Sequence, residues 1–146
     1  MATPKLTETN LRIFMMDRKE LNTLLRGVRW DTKDIDEAIN MCVSYYNGTP
    51  PFVDYQTSTT FPYTWLLLTG VSAHLLKSAS INEASNQLNY SADGVSVQDK
   101  DKAEIFSRIG GAMWDEFKSK VQDIKISVNV SLAFGSSPSE LSYMIR

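Results

Sequence analysis

Residues 99–125, DKDKAEIFSRIGGAMWDEFKSKVQDIK, decide the fold because they predict one long helix. Large apolar residues recur at spacings of four or three, which places them on one face of a helix. They are Ile105, Ile109, Met113, Phe117, Val121 and Ile124. Gly110 and Gly111 interrupt this segment, and each costs about 1 kcal/mol of helix stability relative to alanine. The glycine pair indicates either a close packing partner or a simple bend.

Residues 126–134, ISVNVSLAF, have a different period. Their large apolar side chains alternate strictly with small or polar ones, at Ile126, Val128, Val130, Leu132 and Phe134. Alternation over nine residues predicts a β-strand. Because its own chain offers only short partners, one hypothesis is that the strand docks on a neighbouring subunit. An internal hairpin and a continuation of the long helix remain the alternatives.

Two shorter helices are predicted nearer the start of the chain. Asp17 and Glu20 have the spacing of a capping box, ahead of apolar residues at helical spacing. These apolar residues are Leu21, Leu24, Leu25 and Val28. Asp31 is expected to cap a second helix. The segment NGTPP, residues 47–51, is expected to end that helix.

A third helix is predicted to start near Pro62. Its residues Trp65–Leu76 are the most hydrophobic stretch of the chain and are apolar on all sides, which is typical of a helix buried within a domain or between subunits. The stretch is 12 residues long. About 20 are needed to cross a bilayer, so a membrane span is not expected.

The pattern as a whole predicts a mainly α fold. We expect a four-helix domain with a small β-hairpin turn before the last long helix and a C-terminal strand or extended arm. The hairpin is predicted around Gly94, between two short β-prone segments. The expected organisation is a flexible arm at residues 1–10, a helical domain at residues 11–125 and the C-terminal strand or arm at residues 126–146.

Composition and motifs argue against an enzyme. The chain has 146 residues, a net charge of −2, one cysteine and one histidine. It therefore lacks a cysteine cluster for zinc and the basic excess of an autonomous nucleic-acid binder. A calcium-loop pattern starting at Asn89 fails at its twelfth position, Lys100. His74 and Cys42 lie in apolar helices and are interpreted as packed side chains. We expect no catalytic, cofactor-binding or metal-binding residues and no cofactor.

The order of several segments resembles that of tailed-bacteriophage neck proteins. Residues 31–51 resemble their second helix and its Pro-Pro stop, residues 65–70 their buried helix, and residues 89–94 their turn. Seven later residues resemble the end of their long helix and their C-terminal motif. They are Lys118, Lys125, Asn129, Phe134, Gly135, Ser139 and Glu140. The resemblance covers most of residues 31–143. One departure is Gly94-Val95, where the family often has two adjacent glycines.

The resemblance implies a head-to-tail connector, or adaptor, protein of the virion neck that is assembled in the host cytoplasm. Such proteins form a homo-oligomeric ring, typically a dodecamer, between the portal protein and a tail or head-closure protein. Double-stranded DNA passes through the ring without sequence-specific contact, and no membrane is involved. The candidates for the subunit or portal interface are Ile126, Val128, Val130, Leu132 and Phe134.

Two alternatives are kept open. One, in the same class, is a head-closure or tail-completion protein at another level of the neck. The other, from a different class, is a cytosolic helical module that binds a peptide or small molecule in a pocket lined by Phe61, Tyr63 and Trp65.

Overall fold

A computed structural model describes residues 5–22, 25–86, 90–92, 95–97 and 100–134. These residues contain four α-helices and two short strands. The elements are α1 (Glu8–Phe14), α2 (Thr32–Gly48), α3 (Thr64–Ser85), β1 (Tyr90–Ala92), β2 (Val95–Val97) and α4 (Lys100–Phe134). The mainly α prediction is confirmed. The two strands pair antiparallel, with Tyr90 opposite Val97. Gly94 lies outside the described residues, so the hairpin turn stays a prediction.

Helix α2 begins and ends as predicted. Asp31 is its N-cap, and the backbone N–H of Asp31 donates to the carboxylate of Asp34 at 3.0 Å, completing a capping box. The helix ends at Gly48. The amide side chain of Asn47 then exchanges two hydrogen bonds with the backbone of Gln56, which holds the following connection against the end of the helix.

Helices α3 and α4 form an antiparallel pair at the centre of the domain. Gly70 faces Phe117, so that an added Cβ would lie 2.7 Å from the phenylalanine ring. Further along, the Ser80 hydroxyl donates to the carbonyl of Ala103 at 3.0 Å. Gly110 lies between these levels, where a Cβ would come within 3.2 Å of the Ala73 carbonyl. The close-packing interpretation is therefore confirmed for Gly110.

The predicted burial of α3 is confirmed for most of its residues. The fully or almost fully buried side chains in its first half include Leu66, Leu67, Leu68 and Val71. Trp65 is the exception, because 67% of its surface is exposed.

The predicted apolar face of α4 is only partly correct. Phe117 and Val121 are buried, whereas Ile105 and Ile109 are exposed. A spacing of four residues advances 400° around a helix, about 40° more than one turn. Over the 16 residues from Ile105 to Val121 this drift reaches about 160°, so one straight face cannot hold all of them.

The helix predicted from Asp17 to Val28 is wrong. The described residues there form turns, and the first helix, α1, lies earlier. The reason is that the Asp17 carboxylate accepts hydrogen bonds from the backbone N–H groups of Arg29 at 2.7 Å and Trp30 at 3.3 Å instead of capping a local helix.

Helix α1 also includes part of the segment expected to be an arm. Thr7 caps it by accepting a hydrogen bond from the N–H of Asn10, and the helix begins at Glu8. Leu6, just before the cap, is buried in the hydrophobic core.

The predicted C-terminal strand is also wrong, because α4 continues to Phe134. The predicted arm residues Ile126, Val128, Val130, Leu132 and Phe134 therefore lie on a helix. On the side of α4 that faces the domain, buried residues recur at helical spacing. Two of them, Lys125 and Ser131, are polar. That polarity hides the helical period in the sequence. Continuation of the long helix is the alternative that the structure supports.

Candidate functional site

The last turns of α4 extend beyond α3. Trp65, in the first turn of α3, lines the same groove as Ile124 of α4. Helix α4 then continues from Ile124 to Phe134, about 15 Å at a rise of 1.5 Å per residue. This part of α4 has no neighbouring helix among the described residues along its outer side, and its apolar side chains become more exposed toward the end.

The alternating apolar residues divide between two faces of the helix. Ile126, Val130 and Phe134 follow one another at intervals of four and share a face. Val128 and Leu132 lie on a different face of the helix, where Leu132 is 63% exposed. Val128 is half-buried. We call the first of these faces the helix-end patch, and its members are Ile126 (50% exposed), Val130 (47%) and Phe134 (81%).

An apolar groove of about 430 Å³ lies beside the start of the helix-end patch. We call it the aromatic groove, and its lining includes Tyr63, Trp65, Leu66, Glu116, Lys120 and Ile124. Phe14 of α1 meets Trp65 edge-on, with 5.9 Å between the ring centres. Of the predicted pocket residues, Tyr63 and Trp65 line the groove. Phe61 is buried and packs edge-on against Tyr63 and Tyr46.

A buried ion pair fixes α4 just before the helix-end patch. The ammonium of Lys125 donates to the carboxylate of Asp54 at 2.9 Å and to its backbone carbonyl at 3.2 Å, and lies 4.0 Å from the centre of the Tyr46 ring. The Tyr46 hydroxyl donates to the other carboxylate oxygen at 2.7 Å, and Gln56 also donates to that oxygen. The cluster joins α2, the α2–α3 connection and α4.

The surroundings keep the Asp54 carboxylate ionised. Burial alone would raise the pKa of the Asp54 carboxyl, but hydrogen bonds from Lys125, Tyr46 and Gln56 and the lysine charge together outweigh burial and lower that pKa. Burial, with the hydrogen bond to Asp54, raises the pKa of Tyr46. Asp54 therefore stays negative and Tyr46 stays neutral at physiological pH.

A second polar cluster positions α1. The almost fully buried carboxylate of Asp17 accepts hydrogen bonds from Arg12 at 2.8 Å and Asn22 at 2.6 Å in addition to the two backbone N–H groups. Arg12 also donates to the carbonyl of Trp30. These contacts hold the end of α1, and with it Phe14, at the edge of the aromatic groove.

The two residues considered for catalysis have different surroundings. Cys42 is completely buried, and burial raises its pKa to about 12. Its Sγ faces Gly70, so it acts as a packed side chain. His74 lines a separate polar pocket of about 290 Å³ with Asp34 and Glu37. Across the residues that the structure describes, no three His, Cys, Asp or Glu side chains are grouped to hold a metal ion. Within the same residues, no helix has the length and apolar character of a membrane span.

Sequence analysis did not find the buried polar cluster around Lys125. Asp54, Tyr46 and Lys125 come from three different parts of the chain, so no local spacing links them. The one available signal is that Lys125 follows Val121 by four residues and therefore shares its inward face.

Comparison with known proteins finds no matching family model, no similar curated protein and no similar solved structure. The functional proposal therefore rests on the geometry of the molecule and on the sequence resemblance.

Proposed function

We propose that this chain is a virion structural protein that assembles into the head-to-tail connector ring of a tailed bacteriophage. The observation that carries the proposal is the helix-end patch. It lies on the part of α4 that extends beyond α3, and residues 126–134 contain no charged side chain.

The size of the patch favours an assembly role. If a large apolar residue exposes about 200 Å² when fully accessible, the three members of the patch present roughly 350 Å². The largest apolar patch on a typical monomer is of about this size and is often functional. A catalytic role has no comparable support among the described residues.

The buried Lys125–Asp54 pair suits a subunit of a symmetric assembly. In a ring, every copy must present its contact surface at the same angle to its neighbour. The ion pair fixes α4 directly before the patch, against two other segments of the chain. A fixed exit angle of α4 is what such a ring requires.

The neighbours follow from the resemblance. The ring, typically a dodecamer, would lie in the virion neck between the portal protein and a tail or head-closure protein. Double-stranded DNA would pass through it, and the net charge of −2 is compatible with a channel wall that makes no sequence-specific contact with DNA. A head-closure or tail-completion protein at another neck level would use the same patch.

The aromatic groove supports a second candidate, a cytosolic helical binding module. Its volume of about 430 Å³ and the exposed Trp65 would suit a peptide or a small apolar molecule. Such a module needs the groove but not the helix-end patch.

Serine substitutions separate the two candidates. In a phage that encodes this chain, the double variant Val130→Ser/Phe134→Ser should not be incorporated into virus particles. Both side chains are exposed, so the free energy of unfolding should change by less than about 0.5 kcal/mol. Ile105→Ser with Ile109→Ser is the matched control, since these residues are exposed at the far end of the same helix. Normal incorporation of the Val130/Phe134 variant would contradict the proposal.

A further inference from the structure

The helix-end patch and the aromatic groove have opposite shapes. The patch is a projecting apolar ridge, whereas the groove is a hollow of about 430 Å³ with an apolar and aromatic lining. We propose that the end of α4 from one copy of this chain docks in the aromatic groove of the next copy. This inference rests on the proposed ring assembly and identifies the two surfaces that form its contact.

The patch cannot fill the groove of its own molecule. Ile124 lines the groove, and the patch starts two residues later on the same continuous helix. Phe134 lies about 15 Å further along the helix axis, directed away from the groove. An occupant that presents the patch must therefore come from a second copy.

The charges of the two surfaces are compatible. Residues 126–134 are uncharged, so their docking would bury no ion. The charged members of the groove lining, Glu116 and Lys120, are exposed, have opposite signs and lie four residues apart on α4. Helical side chains of opposite charge at this spacing can pair, and the net charge of the two is zero.

The area of the patch favours a ring over a two-fold dimer. Two patches packed against each other would bury roughly 350 Å² per copy, less than the ~800 Å² per partner of a typical stable interface. A single patch-to-groove contact is limited by the same patch area, but a ring gives each copy two such contacts. In a patch-to-groove contact, every copy donates one surface and accepts on the other. Such a heterologous contact repeats around a ring, and each copy is then held on two sides.

Two glutamate variants test this arrangement. Phe134→Glu removes the donor surface and keeps the groove, whereas Trp65→Glu disrupts the groove and keeps the donor. Each variant alone should be monomeric in sedimentation experiments. Mixed together they should form a 1:1 complex and nothing larger, because one intact ridge meets one intact groove. Ile105→Glu is the control, and it should assemble as the wild type does.

Several results would overturn the inference. One is a wild-type protein that stays monomeric at about 1 mM, a concentration comparable to that which linked sites present to each other. Another is a dimer that Trp65→Glu leaves unchanged, since that dimer would use patch against patch. A third is the absence of a complex in the mixture. Copy number in virus particles is measured separately, so the connector proposal can survive the failure of this contact.

Cross-linking gives a second measurement if the Trp65→Glu variant does not fold. A Phe134→Cys copy and a Trp65→Cys copy should form a disulfide between them on oxidation, and an Ile105→Cys copy should not pair with Trp65→Cys. The native Cys42 is buried with its pKa raised to about 12, so it does not compete. The contact would also be rejected if the Phe134→Cys and Ile105→Cys copies formed disulfides with Trp65→Cys to the same extent.

Discussion

The ammonium of Lys125 lies 2.9 Å from a carboxylate oxygen of Asp54, and the lysine side chain is completely buried. Asp54 keeps 22% of its side chain exposed. The two partners of this ion pair therefore differ in their access to water. The difference determines which substitution is more damaging.

Removing Asp54 should destabilise the protein more than removing Lys125. Asp54→Ala leaves a buried ammonium without its carboxylate, and loss of one partner of a buried pair typically costs 3–5 kcal/mol, so we expect about 3 kcal/mol. Lys125→Met fills similar volume and leaves a carboxylate that still accepts from Tyr46 and Gln56 and reaches water. We expect it to cost less than about 2 kcal/mol. Urea unfolding measures the free energy of unfolding of both variants. A larger loss of stability in Lys125→Met than in Asp54→Ala would contradict this prediction.

The same pair predicts how stability depends on pH. The pKa of Asp54 is lowered in the folded state from its ordinary value of 3.8. Its stabilising contribution is therefore complete above that value and is lost as the pH falls through the lower folded-state value. The double variant Asp54→Asn/Lys125→Met lacks this contribution. Between pH 5 and pH 2, its free energy of unfolding should fall less than that of the wild type. Parallel curves for the two proteins would contradict the account.

Two glycines should respond in opposite directions to alanine. A Cβ at Gly70 would lie 2.7 Å from the Phe117 ring and 3.0 Å from Sγ of Cys42, so Gly70→Ala should destabilise the protein by about 1–3 kcal/mol. A Cβ at Gly111 meets nothing within 4 Å. Gly111→Ala should stabilise it by up to about 1 kcal/mol through helix propensity. Thermal unfolding of both variants checks the contrast, and equal shifts would refute the close packing at Gly70.

Asp17 should be essential for the segment between α1 and α2. Its carboxylate accepts four hydrogen bonds, two of them from the backbone of Arg29 and Trp30. Asp17→Ala leaves these donors without their acceptor and should cost about 3 kcal/mol. Leu21→Ala is the control, since Leu21 is exposed, and it should change stability by less than about 0.5 kcal/mol. A small effect of Asp17→Ala would mean that water replaces the carboxylate.

Local sequence signals predicted the elements whose limits are set locally. Asp31 and residues 47–51 fixed the two ends of α2, because caps and prolines act within a few residues. The apolar run Leu66–Val71 likewise identified a buried helix. Asp17 misled the sequence analysis, because its hydrogen-bond partners lie 12 and 13 residues away, at Arg29 and Trp30.

The end of α4 was mispredicted for a related reason. Alternation at residues 126–134 is a strand signal, but on a helix the same residues lie on different faces. The face toward the domain includes Lys125 and Ser131, whose polarity conceals the period. Lys125 is buried because it contacts Asp54 and Tyr46, which come from distant parts of the chain. Three of the predicted interface residues, Ile126, Val130 and Phe134, share one exposed face of this helix. Their role in an interface stays a prediction.

The central claim, a ring of this protein in the virion neck, is tested most directly by quantitative mass spectrometry of purified virus particles. The abundance of this chain would be measured relative to the major capsid protein. The account predicts about a dozen copies per particle, the number that a single ring implies. Absence of the chain from purified particles would contradict the structural role and favour the cytosolic binding module that uses the aromatic groove.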